Sequence, residues 1–436
     1  MIAMALPRKK RKTAAPLKRA SRARVKVAKK TGGKAAPKRA RKRVVASRPA
    51  RKRVAAAKKV KKKTVAASRR APRKVARTRI AGRVKERFAA IRKHGSNPII
   101  EPREGNVWEM KATFNPAAVQ EGGRIHLLYR AIGGDDMSVL GYAASDDGIT
   151  IADRPGDRAF AHRTAGGSPL VAAPKISYLS GGGCAGGSED PRLVLMEEEG
   201  RIYLTYTAFD GWGSVRIALS SIAKDDFLNR RWQWSAPVFL SPPGEVHKNW
   251  VLFPEKVNGK FAILHSLSPE ILIDYVDDLS VFEDDEENIK SRYHRISDTG
   301  SWDSWVRGAG PPPIKTRLGW LLLYHAMDDR DPNRYKLGAM ILDLNDPSKV
   351  LYRSRVPILE PEEWYENTGW KSGVVYSCGA VVKDGELYVY YGGADSVVCV
   401  AVANLDHFLD ELVKHGSPRL AKKSTMKTNP SYPPLR

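Results

Sequence analysis

Gly123-Arg124-Ile125-His126-Leu127-Leu128-Tyr129-Arg130 is a glycine followed by an alternating apolar run, and the chain returns to this pattern four more times. The other copies run from Gly200 to Thr207, Gly259 to Ser266, Gly319 to His325 and Gly385 to Gly392. Alternation of this kind reads as a β-strand with one face in a core. The Tyr or His closing each copy (Tyr129, Tyr206, His265, Tyr324 and Tyr391) recurs at spacings of 77, 59, 59 and 67 residues. A second strand-like run follows each copy: Leu140 to Ser145, Val215 to Ser220, Ile271 to Val276, Tyr335 to Leu342 and Val397 to Ala403. Helical periodicity is nearly absent. Five antiparallel units in radial repetition predict an all-β fold, a five-bladed β-propeller. A β-sandwich, whose strands also come at short regular intervals, is the alternative. If the repeated strand lines the propeller channel, then Arg130, Thr207, Ser266, His325 and Gly392 gather near the axis, a mixed polar ring suited to a small polar ligand.

Charge divides the chain into parts. The 436 residues carry a formal +28, yet residues 1–85 hold 35 Lys and Arg with no acid, so everything after them sums to −7. A segment rich in Lys, Arg, Ala, Val and Pro, with no aromatic before Phe88, buries too little apolar surface to order itself. Residues 1–85 are therefore expected to be a disordered basic tail, similar in composition to linker-histone tails. Such a tail neutralises phosphates without base readout, which makes nucleic acid or another polyanion its expected partner; a merely solubilising extension is the alternative. Val84, Phe88 and Ile91 stand at helical spacing before Gly95, so 86–96 is expected to be a short helix and linker. The propeller is expected over 97–415, with a C-terminal tail over 416–436. Three cysteines, Cys184, Cys378 and Cys399, form no metal-type spacing and suit a reducing compartment as buried or bystander thiols. With no apolar run of bilayer-spanning length, a cytoplasmic protein with no membrane partner is expected, nucleoid-associated if the tail meets nucleic acid.

The chemistry is expected at Gly186-Gly187-Ser188-Glu189-Asp190-Pro191-Arg192-Leu193. Pro191 biases Asp190 away from the helical region, so the acidic pair is expected on an extended junction between the glycine-rich Ser180 to Gly187 and a strand starting at Leu193. A carboxylate held there can point into a cleft; a solvated surface ion pair of Asp190 with Arg192 is the plainer alternative.

Further stretches join it in order along the chain: Phe114-Asn115-Pro116-Ala117-Ala118-Val119, Tyr129-Arg130-Ala131, Leu252-Phe253-Pro254-Glu255-Lys256, Gly310 to Thr316, Tyr324-His325 and Gly392-Gly393-Ala394-Asp395. On these motifs, residues from about 97 to 412 resemble glycoside hydrolase family 130, the β-mannoside phosphorylases and related β-mannosidases, which are five-bladed propellers. The resemblance implies an inverting phosphorolysis in which Asp190 is the general acid, acting through a sugar hydroxyl, and inorganic phosphate attacks the anomeric carbon to release mannose 1-phosphate. It implies a phosphate site at Lys248, Asn249, Arg307 and His325, and a sugar subsite at Asn115, Arg130 and Asp395. Phosphate is the co-substrate and no metal or other cofactor is implied. Elementary chemistry agrees in kind: the leaving oxygen needs a positioned acid, and phosphate needs cations in place of the second carboxylate of an inverting glycosidase.

Ser266 departs from the family pattern, because phosphorylases commonly have arginine there. Members that hydrolyse tend to lose the basic cluster, whereas Lys248 and Arg307 are kept. Three readings follow: a β-mannoside phosphorylase, a β-mannoside hydrolase, and a non-catalytic propeller delivered to nucleic acid by the tail. Read without the family, Asn115 before Pro116 and Asp395 after Gly392-Gly393 are ordinary turn residues. Linkage, acceptor sugar and oligomeric state stay open, since linkage and acceptor depend on loops such as Gly156 to Gly187 and Asp284 to Asp303.

Overall fold

The computed structural model of the chain describes residues 87–162, 183–210, 214–284, 287–291 and 301–416. The expected basic tail over 1–85, the C-terminal tail beyond 416 and much of the two specificity loops lie outside the described residues.

All five repeated glycines have positive φ: 76° at Gly123, 58° at Gly200, 80° at Gly259, 138° at Gly319 and 81° at Gly385. That region costs a side chain of L configuration but not glycine, which is why the same residue opens every copy. Each glycine turns the chain between two antiparallel strands. After a two-residue strand β1 (Arg92–Lys93) come β2 (Ala112–Glu121), β3 (Arg124–Ile132), β4 (Met137–Ser145) and the short β5 (Arg158–Phe160). The second unit holds β6 (Gly186–Met196), β7 (Arg201–Phe209), β8 (Val215–Ala223) and β9 (Val238–Phe239), with helix α1 (Lys224–Leu228) after β8. The third is β10 (Val251–Leu252), β11 (Phe261–Ser266) and β12 (Leu272–Val276). The fourth comprises β13 (Trp305–Ala309), β14 (Ile314–Thr316), β15 (Gly319–Asp328), β16 (Asp331–Leu342) and β17 (Val350–Arg353). Helix α2 (Trp364–Asn367) leads into β18 (Val375–Lys383), β19 (Glu386–Gly393) and β20 (Val397–Asn404), and α3 (Leu405–His415) follows. Among the described residues no helix is long and apolar enough to cross a membrane.

The repeated strands are β3, β7, β11, β15 and β19, and the runs expected after them are β4, β8, β12, β16 and β20. Within each unit the strands pair antiparallel in chain order, apart from the short β14, which pairs β15 at one end. A short parallel contact of β4 with β6, Met137 to Gly186, joins the first two units into one sheet. The first and last strands meet in the last unit, where β1 pairs β20.

One expectation is corrected here. No helix occurs in residues 87–96; Arg92 and Lys93 form β1 instead. The helical spacing of Phe88 and Ile91 is real burial, since both enter the last unit's core and Phe88 packs on Phe408 with ring centroids 5.0 Å apart. The open edge of β20 offers backbone partners that an isolated turn of helix cannot match, including His94 N donating to Val400 O at 3.0 Å. Site residues come from more than the repeated strand: Arg130 and His325 stand on the repeated strands β3 and β15, and the strand paired before each of these contributes as well. In four of the five units the strand paired before the repeated one is bulged, whereas in the third the shift falls in β11 itself, at Leu264/Ser266. Registers shift at Phe114/Ala117 in β2, Glu189/Arg192 in β6, Val306/Gly308 in β13 and Ser377/Gly379 in β18. Such bulges re-aim side chains out of the sheet pattern.

The first strands β2, β6 and β18 pack on one another. Gly379 makes this approach possible: a Cβ there would lie 2.5 Å from the Ala118 nitrogen and 2.7 Å from the Ala117 carbonyl carbon, both rigid backbone. Gly379→Ala is expected to cost about 1–3 kcal/mol, by overpacking, in a urea unfolding titration. An unchanged midpoint would show that β2 and β18 are not in close contact.

Candidate active site

The site is built where bulged strands meet. Asp190 sits on the β6 bulge with φ 49°, and Asn115 on the β2 bulge with φ 46°. Each precedes a proline, and each is an Asp or Asn, the residues that best tolerate left-handed backbone. The expected extended junction at Asp190 is thus corrected to a left-handed bulge inside a strand that begins at Gly186, not Leu193. Pro191 bars helix at the preceding residue, but the bulge geometry chose the other permitted region.

The bulge turns the Asp190 carboxylate into a buried polar cluster. Its Oδ1 accepts from Asn115 Nδ2 at 2.9 Å and from Arg130 Nη1 at 3.0 Å. Arg130 is wholly buried, stacks over the Phe114 ring at 4.7 Å and donates through Nε to Ser138 Oγ at 2.9 Å. Burial alone would raise the Asp190 pKa, but Arg130, Lys248, Arg192 and the Asn115 amide together hold it well below the usual carboxylate range. The surface ion pair of Asp190 with Arg192 is excluded, since both are buried. Arg192 instead donates to the Asp190 main-chain oxygen at 2.8 Å, to Gly310 O at 2.8 Å and to Asn249 Oδ1 at 2.9 Å, tying the second unit to the fourth.

A solvent-open pocket of about 450 Å³ lies beside this cluster, lined by Lys248, Asn249, Ser266 and Arg307 among others. Four positions expected for the phosphate region therefore share one wall. Their states differ. Lys248 Nζ pairs with Glu189 Oε2 at 3.0 Å. Asn249, at φ 66°, is a structural bridge: Nδ2 donates to Arg307 O at 2.9 Å, and Oδ1 accepts from Arg192 and the Tyr376 hydroxyl. Arg307 is half-buried, its guanidinium 4.5 Å from the Trp305 ring centroid and 5.9 Å from that of Tyr335. Among the described residues Ser266 Oγ reaches Ser268 O alone, at 3.4 Å.

His325 is fully buried behind the pocket, its ring 3.8 Å from Tyr376 in a parallel stack. Nε2 accepts from Ser377 N at 3.0 Å, which places the proton on Nδ1, a buried atom with no partner among the described residues. Burial, aided by Arg192, pushes its pKa down to about 3. His325 can donate a hydrogen bond but brings no charge. Asp395, at φ 52° in the turn after β19, acts on Arg130 and Tyr335 through its charge. The other residues expected at the axis back the site: Thr207 is in register with Glu189, and Gly392 lies so close to Asn115 that a Cβ would meet Oδ1 at 2.2 Å.

Sequence reasoning missed several participants. Glu189 is wholly buried between Arg130 and Lys248. Tyr376 braces Asn249 and His325, and Tyr335 stands between Arg307 and Lys371, whose Nζ is 4.1 Å from its ring centroid. Burial would raise the Tyr335 pKa, but Arg307 and Lys371 lower it below the usual phenol range. Cys184 is no bystander: its thiol lies 3.4 Å from Arg130 Nη2 and donates to Glu189 Oε1 at 3.2 Å. The adjacency of Glu189 to Asp190 was the one signal available; the others are joined to the site only by folding.

An acid held between donors beside a cationic pocket is the arrangement of a glycoside-cleaving enzyme that uses an anionic nucleophile. The family model of glycoside hydrolase family 130, described as beta-1,4-mannooligosaccharide phosphorylase, matches residues 73–414, and the chain belongs to this family. The chain is 39% identical over 324 residues to the 1,2-beta-oligomannan phosphorylase of Thermoanaerobacter sp. (strain X514), covering 72% of this chain and 97% of that one. It is 36% identical to a beta-1,2-mannobiose phosphorylase of the same organism, over 70% and 95% of the two chains. The Listeria innocua beta-1,2-mannobiose phosphorylase, solved with beta-1,2-mannobiose, superposes with a TM-score of 0.57 at 25% identity, covering 75% of this chain and all of that one.

His325 makes stability depend on pH. An unfolded histidine takes its proton near pH 6.5 but the folded one only near 3, so between these values the unfolded state binds more protons and acid favours unfolding. Full traversal of that window corresponds to roughly 5 kcal/mol. In urea titrations at several pH values, His325→Gln should flatten the fall in stability between pH 6.5 and 4. An identical slope in the variant would mean that His325 is not buried neutral.

Proposed function

We propose that the protein is an inverting β-mannoside phosphorylase acting on β-1,2-linked mannosides. The carrying observation is Asp190, fixed by Asn115 and Arg130 on a bulge next to the Lys248 and Arg307 pocket. The two relatives described above, at 39% and 36% identity, support the β-1,2 linkage. In the reaction, phosphate held by Lys248 and Arg307, with the His325 Nδ1–H as a neutral donor, attacks the anomeric carbon. The bond to the glycosidic oxygen breaks, and Asp190 delivers a proton to that oxygen through a sugar hydroxyl. The products are mannose 1-phosphate of inverted configuration and a free acceptor. Asn115, Arg130 and Asp395 orient the sugar and the acid. Asp190 is ionised in the free enzyme, so it must gain a proton before it can act; a phosphate dianion beside Lys248 and Arg307 offsets the cations that hold it ionised.

The five units, the bulged first strands of four of them and the meeting of β1 with β20 support a five-bladed propeller closed by the N-terminal strand. We further propose an intracellular setting, and a sequence-independent contact of residues 1–85 with nucleic acid or another polyanion. That contact rests on the acid-free run of 35 Lys and Arg. Removal of residues 1–85 should abolish duplex DNA binding in a salt titration and leave turnover unchanged; DNA retention by the truncated chain would overturn the tail assignment.

Steady-state kinetics against phosphate and a β-1,2-mannobiose substrate test the main reading. Asp190→Asn should lower turnover at least ~100-fold with sugar binding retained. Lys248→Ala and Arg307→Ala should each raise the phosphate KM about tenfold or more and the sugar KM less, as expected for a lost charged hydrogen bond. Ser266→Arg should lower the phosphate KM. Turnover that ignores phosphate, and survives loss of either cation, would make water the nucleophile and the enzyme a mannosidase.

A further inference from the structure

Tyr376 touches two of the positions expected for phosphate, Asn249 and His325, and the reaction above gives it no role. Its hydroxyl donates to Asn249 Oδ1, and its ring lies parallel to that of His325 with centroids 3.8 Å apart. The three residues come from different units: Asn249 precedes β10, His325 stands on β15 and Tyr376 on β18. One buried phenol therefore joins two donors that the order of the chain keeps apart.

We propose that Tyr376 is a positioning residue for the nucleophile, fixing Asn249 and His325 as two neutral hydrogen-bond donors to the phosphate that Lys248 and Arg307 attract. The proposal rests on the phosphorolytic reading.

An amide offers an acceptor at one end and two hydrogens at the other, so its use depends on which end faces the anion. At Asn249 that choice is made by its neighbours. Oδ1 accepts from Arg192 Nη2 at 2.9 Å and from the Tyr376 hydroxyl, while Nδ2 gives one hydrogen to Arg307 O at 2.9 Å. The second hydrogen on Nδ2 has no partner among the described residues, and Asn249 lines the pocket. Reversal of the amide would set donor against donor at Arg192 and oxygen against oxygen at Arg307. Arg192 divides its donors among Asn249, Gly310 O and the Asp190 main-chain oxygen, whereas the single hydroxyl hydrogen of Tyr376 goes to Oδ1. His325 is gripped by consecutive residues of β18. Ser377 N donates to Nε2 at 3.0 Å, and Tyr376 covers the ring face, so that Nδ1–H is left with a fixed direction. Neutral donors exert no long-range pull on an anion. Their contribution depends on being aimed before it arrives.

Tyr376→Phe removes the hydroxyl and keeps the ring. The phosphate KM is expected to rise about threefold to tenfold, the effect of one lost hydrogen bond, with smaller changes in the sugar KM and in kcat at saturating phosphate. In an Asn249→Ala background the Phe substitution should no longer raise the phosphate KM, because its effect runs through the amide. Tyr376→Leu, which also removes the stack on His325, should raise the phosphate KM beyond the Phe variant, and a His325→Gln background should erase that excess. Independently of turnover, titration calorimetry of the full chain with inorganic phosphate should show the same weakening in Kd. Residues 1–85 are common to wild type and variants, so the difference reads the site. If the Leu variant does not fold, Tyr376→Phe and its cycle with Asn249→Ala carry the test. An unchanged phosphate KM in Tyr376→Phe, equal rises in the phosphate and sugar KM, or a Phe effect that persists in full without Asn249 would overturn the inference and leave Tyr376 as core packing. Wild-type turnover indifferent to phosphate would instead overturn the phosphorolytic reading beneath it.

Discussion

Burying Arg130 is the constraint from which the site follows. A guanidinium with no solvent contact costs several kcal/mol to desolvate unless its donors meet acceptors of opposite charge. Arg130 meets two carboxylates, Glu189 and Asp190, together with Ser138 and the face of Phe114. Those partners lie on different strands of the first two units, so the cluster exists only when both are assembled. Once formed it is rigid, and a donor array fixed in advance does not need to reorganise as charge develops during reaction.

The bulges are the second element of the design. Asn115, Asp190, Asn249 and Asp395 all have positive φ, a conformation that costs of order 1 kcal/mol or more per residue and persists only where surrounding contacts hold it. Here the contacts are identifiable. Arg192 locks the Asp190 carbonyl to Gly310 and Asn249, and Asn115 is held by the Asp190 carboxylate it donates to. A regular strand would send alternate side chains to opposite faces of its sheet, whereas the bulges let acid, amide and cation converge from neighbouring units.

Charge pairing also explains why the pocket does not present naked cations. Lys248 rests on Glu189, and Arg307 lies over the rings of Trp305 and Tyr335. Exchange of such internal partners for a bound anion costs less than stripping water from a free ion, and it makes affinity for the anion adjustable through residues that never touch it.

The period-two runs and their turn glycines by themselves determined the strands β3, β7, β11, β15 and β19 and their partners, because side-chain alternation and positive φ are local requirements written residue by residue. The Glu-Asp-Pro-Arg motif likewise located the acid, and the run of charge before Phe88 marked off the basic segment. Other features were decided only by tertiary structure. Phe88 and Ile91 gave a helical signal, yet the open edge of β20 took the neighbouring residues as a strand, since a sheet edge satisfies backbone groups that a single helical turn leaves exposed. The left-handed turn at Asp190, the capture of Lys248 by Glu189 and the neutrality of His325 each depend on burial and on charges from strands distant in sequence. Desolvation and Coulomb energy act through space, and no reading of neighbours along the chain contains them.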